Sequence, residues 1–147
     1  MIIQIRFIGI MCIVCVLFLV GCKADDTDED SWKESPTFYI DDKKMYGVKG
    51  EIGLERLNGE ENEPDFPATQ GRLYNIHFFD ASKEFYGEQA VITATHQNTG
   101  KTIELYNLIT SSIASAKFGF EDEGLWKISV SINEEPYTSF IIRAEKP

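Results

Sequence analysis

The sequence predicts an all-β fold, an antiparallel sandwich of about seven short strands held together without a disulfide. Three observations carry that expectation. From Ser35 onward the chain consists of short runs rich in Val, Ile, Thr, Tyr and Phe, broken by Gly, Asn, Asp and Pro at intervals typical of antiparallel sheets. No long 3.6-residue period appears that could supply a covering helix. All three cysteines, Cys12, Cys15 and Cys22, precede that region, so stability must come from a packed core. With 147 residues, 43% hydrophobic and 26% charged, the chain has room for one ordinary globular domain.

Taken in order, Thr37 to Ile40 reads as a short strand. In MYGVKGEIGLE (Met45 to Glu55), Val48, Ile52 and Leu54 mark one strand interrupted by glycines. Arg72 to Phe79 places Tyr74, Ile76 and Phe78 on one side and His77 on the other. Gln89 to His96 and Lys101 to Tyr106 form a hairpin around Gln97-Asn98-Thr99-Gly100, with Gly100 free to take a positive φ. In its second strand Ile103 and Leu105 alternate with Thr102 and Glu104. A short strand near Ala116 to Phe120 follows.

The clearest strand is Leu125 to Ile132, where Trp126, Ile128, Val130 and Ile132 share a face and Lys127, Ser129 and Ser131 take the other. Asn133-Glu134-Glu135-Pro136 is a turn-forming cluster, and Tyr137 to Ala144 should pair back as a closing hairpin. Short strands in such number, with no helix to cover a sheet, favour two sheets packed face to face. The expected architecture for residues 36–147 is an immunoglobulin-like sandwich, without the cysteine pair of antibody domains.

The N-terminus has a different character. One cation, Arg6, precedes an apolar run from Phe7 to Val20, the layout of a signal peptide. The run ends in Leu19-Val20-Gly21-Cys22, which looks like a bacterial lipobox, the motif in which the cysteine receives diacylglycerol and becomes the new N-terminus. An uncleaved membrane helix fits less well, since the fifteen residues from Phe7 to Gly21 would span about 22 Å against a hydrocarbon core of about 30 Å. Residues 1–21 are therefore expected to be a lipoprotein signal peptide, with Cys22 the lipidation site and the protein held at the extracytoplasmic face of the membrane.

Residues 22–35 are expected to be a flexible acidic tether, because Lys23 to Pro36 has six acids, two lysines and only Trp32 as a large apolar group. Asp26, Asp28 and Asp30 alternate as in a calcium loop, but the glycine turn and the late bidentate Glu of an EF-hand are missing. The whole chain has 14 Lys+Arg against 24 Asp+Glu, and removing Arg6 with the signal leaves 13 against 24, or -11. Such a surface repels phosphate, so nucleic acid is not an expected partner.

The lipobox, the acidic stretch, Gly71-Arg72-Leu73-Tyr74-Asn75-Ile76-His77-Phe78-Phe79 and the closing GLWKISVSINEEPYTSFIIR together resemble a family of small uncharacterised lipoproteins of Bacillus-type Gram-positive bacteria. The resemblance covers most of the chain after Cys22 and implies a membrane location and one immunoglobulin-like domain. It brings no activity with it. Phe79-Asp80 departs from the Trp-Gly of the family pattern.

Chemistry is sparse. Neither His77 nor His96 has a partner at HxH or HExxH spacing, no GxSxG is present, and Thr110-Ser111-Ser112 reads as a connecting loop. An enzyme is not expected, and no cofactor or metal site is read. Carboxylates abound in turns, where acids serve solubility. If loops converge at one pole, Glu60, Glu61, Glu63 and Asp65 with Glu121, Asp122 and Glu123 are the candidates for binding a cation or cationic ligand. Phe66, Phe85 and Tyr86 fall in predicted loops and are the candidate patch for a partner, an envelope protein or a wall component. Asn58 to Gln70 is the longest loop, of the kind that often carries function.

Two functional readings follow. The first is a membrane-anchored, non-catalytic interaction module of the cell envelope. The second is a cation- or small-ligand-binding lipoprotein accessory to transport or sensing. A flat apolar patch favours the first, and a pocket with convergent polar groups the second.

Overall fold

The computed structural model describes residues 31–79 and 84–147. Nine strands follow one another with no helix among the described residues: β1 (Phe38–Ile40), β2 (Lys43–Val48), β3 (Ile52–Arg56), β4 (Arg72–Phe78), β5 (Gln89–His96), β6 (Thr102–Ile109), β7 (Ile113–Phe118), β8 (Gly124–Ile132) and β9 (Glu135–Ala144). They form two antiparallel sheets, one ordered β1-β2-β3-β4-β7 and the other β6-β5-β8-β9. The expected sandwich is present, with more strands than the sequence suggested.

One extra strand comes from Met45 to Glu55, which is a hairpin rather than a single interrupted strand. Gly50 takes φ 88° at the turn, and Glu51 N–H donates to the Val48 carbonyl at 3.0 Å. Gly47 and Gly53 then face each other across the ladder. Gly47 has φ 149°, and a Cβ there would lie 2.2 Å from the Ile52 carbonyl oxygen, so close backbone approach requires glycine at this position. Two other hairpins turn on paired positive-φ residues, Asp41-Asp42 between β1 and β2 and Asn133-Glu134 between β8 and β9, the signature of two-residue primed turns. The acids of Asp41-Asp42 therefore serve a turn.

Other boundaries move for local reasons. β7 lies at Ile113–Phe118 rather than Ala116 to Phe120, and Phe120 instead bridges to Ala68. β9 starts at Glu135, since two residues suffice for the turn. Ser35, expected at the end of the tether, lies against β9: its N–H donates to the Ile141 carbonyl and its Oγ accepts the Ile141 N–H, both at 2.9 Å. Glu34 pairs with Arg143 at 3.3 Å.

The core sits between the sheets. Trp126, Ile128, Val130 and Ile132 of β8 and Tyr74, Ile76 and Phe78 of β4 point into it, as their alternation predicts. Aromatic rings continue the packing from sheet to sheet: Tyr74 stacks on Phe118 at 4.4 Å between centroids, and Phe120 meets both Phe118 at 6.2 Å and Trp126 at 5.4 Å.

The strand registers define two poles. At one lie the β5–β6 turn, the β7–β8 connection and the end of β9, because His96 pairs Trp126 and Gly124 pairs Ala144. At the other lie the β2–β3 turn, the β8–β9 turn and the connections β4–β5 and β6–β7, because Ala90 pairs Ile132 and His77 pairs Ile113.

Candidate functional site

The first pole gathers both acidic loops, and three of their seven carboxylates, those of Glu63, Asp65 and Glu121, are already engaged by cations of the fold. Glu63 accepts the Glu60 N–H at 2.9 Å and pairs with the buried Arg72 at 2.9 Å. Asp65 holds Lys44 at 3.0 Å and Arg56 at 3.2 Å, and accepts the Tyr46 hydroxyl. Glu121 pairs with Lys101. In Asp122 and Glu123 it is the main chain that works: the Asp122 carbonyl accepts Trp126 Nε1–H and the Glu123 carbonyl accepts His96 Nε2–H, both at 2.9 Å. Glu61 is exposed.

The C-terminal segment separates the two loops. An open cleft of about 810 Å³ lies between Glu121–Glu123, the β5–β6 turn and Lys146-Pro147, and a smaller one of about 400 Å³ lies between Asn62–Asp65 and Glu145–Pro147. Among the described residues no three His, Asp or Glu side chains come together as a metal cluster would require. The loops thus share a pole, as expected, without converging on a joint cation site. Lys44, Arg56, Arg72 and Lys101 instead neutralise three of the carboxylates, those of Glu63, Asp65 and Glu121.

Both histidines are buried parts of the framework. A carbonyl can only accept, so His96 carries a proton on Nε2 toward Glu123, while its Nδ1 lies 3.1 Å from the Thr99 hydroxyl. His77 meets the Glu55 carboxylate at 2.8 Å and stacks on Phe79 with centroids 5.7 Å apart.

Burial would raise the Glu55 pKa, but hydrogen bonds from Lys43, His77 and Asn75 outweigh it and hold the carboxyl below its ordinary value. Asp65 behaves alike, with burial opposed and exceeded by Tyr46, Lys44 and Arg56. A depressed folded pKa contributes stability that is complete above the unfolded value and is lost as pH falls through the folded one. The melting temperature is therefore expected to fall as pH drops from about 5 to about 3, a window that opens at the ordinary carboxylate pKa and runs below it. Thermal melts across that range check this, and a Glu55→Gln chain should show a shallower fall; an identical profile would remove Glu55 from the explanation.

The proposed aromatic patch must be corrected. Phe66 is only 2% exposed, since its loop folds back to plug the first pole, with Phe66 against Tyr46 at 4.7 Å, Tyr74 at 5.3 Å and Phe120 at 5.9 Å. Phe85 is half-buried against Tyr137 at 5.3 Å. Tyr86 alone of the three is exposed, at 41%.

Two further exposed apolar residues that sequence reasoning missed lie at this pole, Ile109 at 62% exposure and Ile113 at 52%. They flank Thr110, a buried residue that fastens this part of the second pole. Its hydroxyl donates to the Phe85 carbonyl and its backbone pairs with Gly87 and Glu88 at 3.0 and 2.8 Å. Strict alternation from Ile103 and Leu105 would have turned Ile109 inward. A bulge intervenes, because Ile92 pairs Tyr106 while Thr93 pairs Glu104, and the extra residue shifts the phase so that Leu108 is buried and Ile109 faces out. Nothing in the one-dimensional pattern announces that bulge.

No protein-family model matches the chain, and no curated protein does. Among solved structures, the chain is similar to a crystal structure described as a "Putative Lipoprotein from Bacillus anthracis", with a TM-score of 0.64, 18% identity, and coverage of 86% of this chain and 99% of that chain. At that identity the likeness establishes the fold. The shared fold spans the whole of the neighbour, so the two-sheet architecture is not peculiar to this sequence.

Proposed function

We propose that this protein is a lipid-anchored, extracytoplasmic module of a bacterial envelope that binds another envelope protein and performs no catalysis. The lipobox-like Leu19-Val20-Gly21-Cys22, outside the described residues, supports the anchor, as does the description of the structural neighbour as a lipoprotein. Domain type is supported by strand order. β3, β4 and β7 in one sheet with β6, β5, β8 and β9 in the other correspond to strands A-B-E and C′-C-F-G of an immunoglobulin-type sandwich, with β1 and β2 added at the edge.

The observation that carries the binding role is the exposure of Ile109 at the end of β6 and Ile113 at the start of β7, two edge strands joined through the fastened Thr110 at the second pole, with the exposed Tyr86 in the connection that Thr110 holds. Apolar groups held out on a stiff scaffold form a contact surface at little entropic cost. A photo-crosslinking residue at Ile109, carried by the anchored protein on intact cells, is expected to yield a discrete protein adduct that the same residue at Asn98 does not. Adducts from both positions alike would overturn the assignment of the surface. A saturable thermal shift with calcium or spermidine would favour the ligand-binding reading, for which the cleft beside Glu121–Glu123 is the place to look.

A further inference from the structure

We infer that the pole carrying Glu121–Glu123 and the C-terminus faces the lipid surface, so that the pole carrying Tyr86, Ile109 and Ile113 is presented outward. The inference rests on the anchored reading just proposed. What carries it is the direction of the chain at Glu34 and Ser35. Ser35 contacts Ile141 of β9 while Glu34 contacts Arg143, so the partner number rises as the chain is followed toward its N-terminus. The segment therefore runs antiparallel to β9, and its N-terminal side points to the end of β9 at Ala144, the first pole. Glu34 also lines a cleft with Lys44, Asp65, Phe66 and Glu145, all at that pole.

Twelve residue steps separate Cys22 from Glu34, a reach of at most about 40 Å even at full extension. The poles themselves are about 30 Å apart, the length of the nine-residue β8. Attachment near one pole therefore leaves the other farther out on average. Electrostatics do not reverse this. The balance of 13 cations against 24 acids after Cys22 gives anionic headgroups no net attraction with which to tip the domain over. A partner reaching Ile109 and Ile113 would then approach from the outer side of the envelope, not from within the bilayer.

The test uses the lipidated chain in phosphatidylglycerol-containing vesicles, with a donor fluorophore on a single introduced cysteine, Asn98→Cys at the first pole or Glu135→Cys at the second. Lipidation blocks Cys22 and no other thiol remains in the mature chain, so labelling is specific. Energy transfer to an acceptor on the lipid headgroups is expected to be about twofold or more greater from position 98 than from 135, given the separation of about 30 Å. Equal or reversed transfer overturns the orientation. A chain that starts at residue 22 and carries Cys22→Ala separates the two ideas, since it lacks the apolar run Phe7 to Val20: if it floats with vesicles as the wild type does, the anchor reading fails. Flotation of the wild type alone with a reversed gradient leaves the anchor standing and removes only the orientation.

Discussion

Trp126→Ala is expected to destabilise the domain by about 3–5 kcal/mol, the range for removing a large aromatic from a packed core. Trp126 is 0% exposed and is the largest fully buried side chain. Its ring touches Phe120 and His96, with centroids 5.4 and 4.8 Å away, and so joins the core to the first pole. Truncation leaves a cavity where both sheets meet, and it also orphans the Asp122 carbonyl that now accepts the indole N–H at 2.9 Å. Such a loss is comparable to the whole stability of a domain this size, on the order of 5–15 kcal/mol. Urea unfolding followed by circular dichroism measures it. Trp126→Phe keeps most of the volume and removes only the N–H donor, so its loss should be smaller, about 1–3 kcal/mol. If Trp126→Ala melts within a degree or two of the wild type, the aromatic junction does not hold the sheets together.

Phe66→Ala should rank second, also at about 3–5 kcal/mol, although the residue lies in a loop. The backbone around it is tied to both sheets. Glu145 N–H donates to the Phe66 carbonyl at 3.0 Å, Ala68 N–H to the Glu145 carbonyl at 2.7 Å, and Thr69 N–H to the Phe120 carbonyl at 2.6 Å. The ring fills the gap between Tyr46, Tyr74 and Phe120, and without it those three lose their common neighbour. Tyr86→Ala is the control. That side chain is 41% exposed, and its removal should change stability by no more than about 0.5 kcal/mol. Parallel melts of the two chains decide the matter: equal losses would mean that Phe66 and Tyr86 share one environment, contrary to the packing described.

The contrast between these two aromatics shows how far the sequence could be read. Within a strand, period-two alternation ties each side chain to a face, so Trp126, Ile128, Val130 and Ile132 were assigned to the core correctly from pattern alone. In a loop no such period exists. Phe66 and Tyr86 look alike in one dimension, and only the return of the long loop against Phe120 and Glu145 separates them. Ile109, beyond the strand expected to end at Tyr106, was out of reach for a related reason, since the bulge at Leu105 changes the phase and propagates to the end of β6.

The acidic loops illustrate a second limit. Their location at one pole was legible, because loops of a sandwich collect at its ends. Whether their carboxylates remain available depends on Lys44, Arg56, Arg72 and Lys101, which lie up to twenty-one positions away in the chain and meet them only after folding. Glu55 and His77, twenty-two residues apart, became partners in the same way, through the register of β3 on β4.

By itself, then, the amino-acid sequence determined the all-β class, the core faces of β4 and β8 and the turns at Gly100 and Asn133, and its Leu19–Cys22 motif underlies the proposed anchor. Those properties are local, set by side-chain periodicity and by the φ angles that individual residues tolerate. Tertiary structure alone decided that Phe66 is core, that Glu63, Asp65 and Glu121 are paired, that Ile109 and Ile113 are exposed, and that Glu34 and Ser35 lie along β9. Each of these depends on which distant backbone lies alongside, a property of strand register and bulges that arises only when the two sheets close on each other.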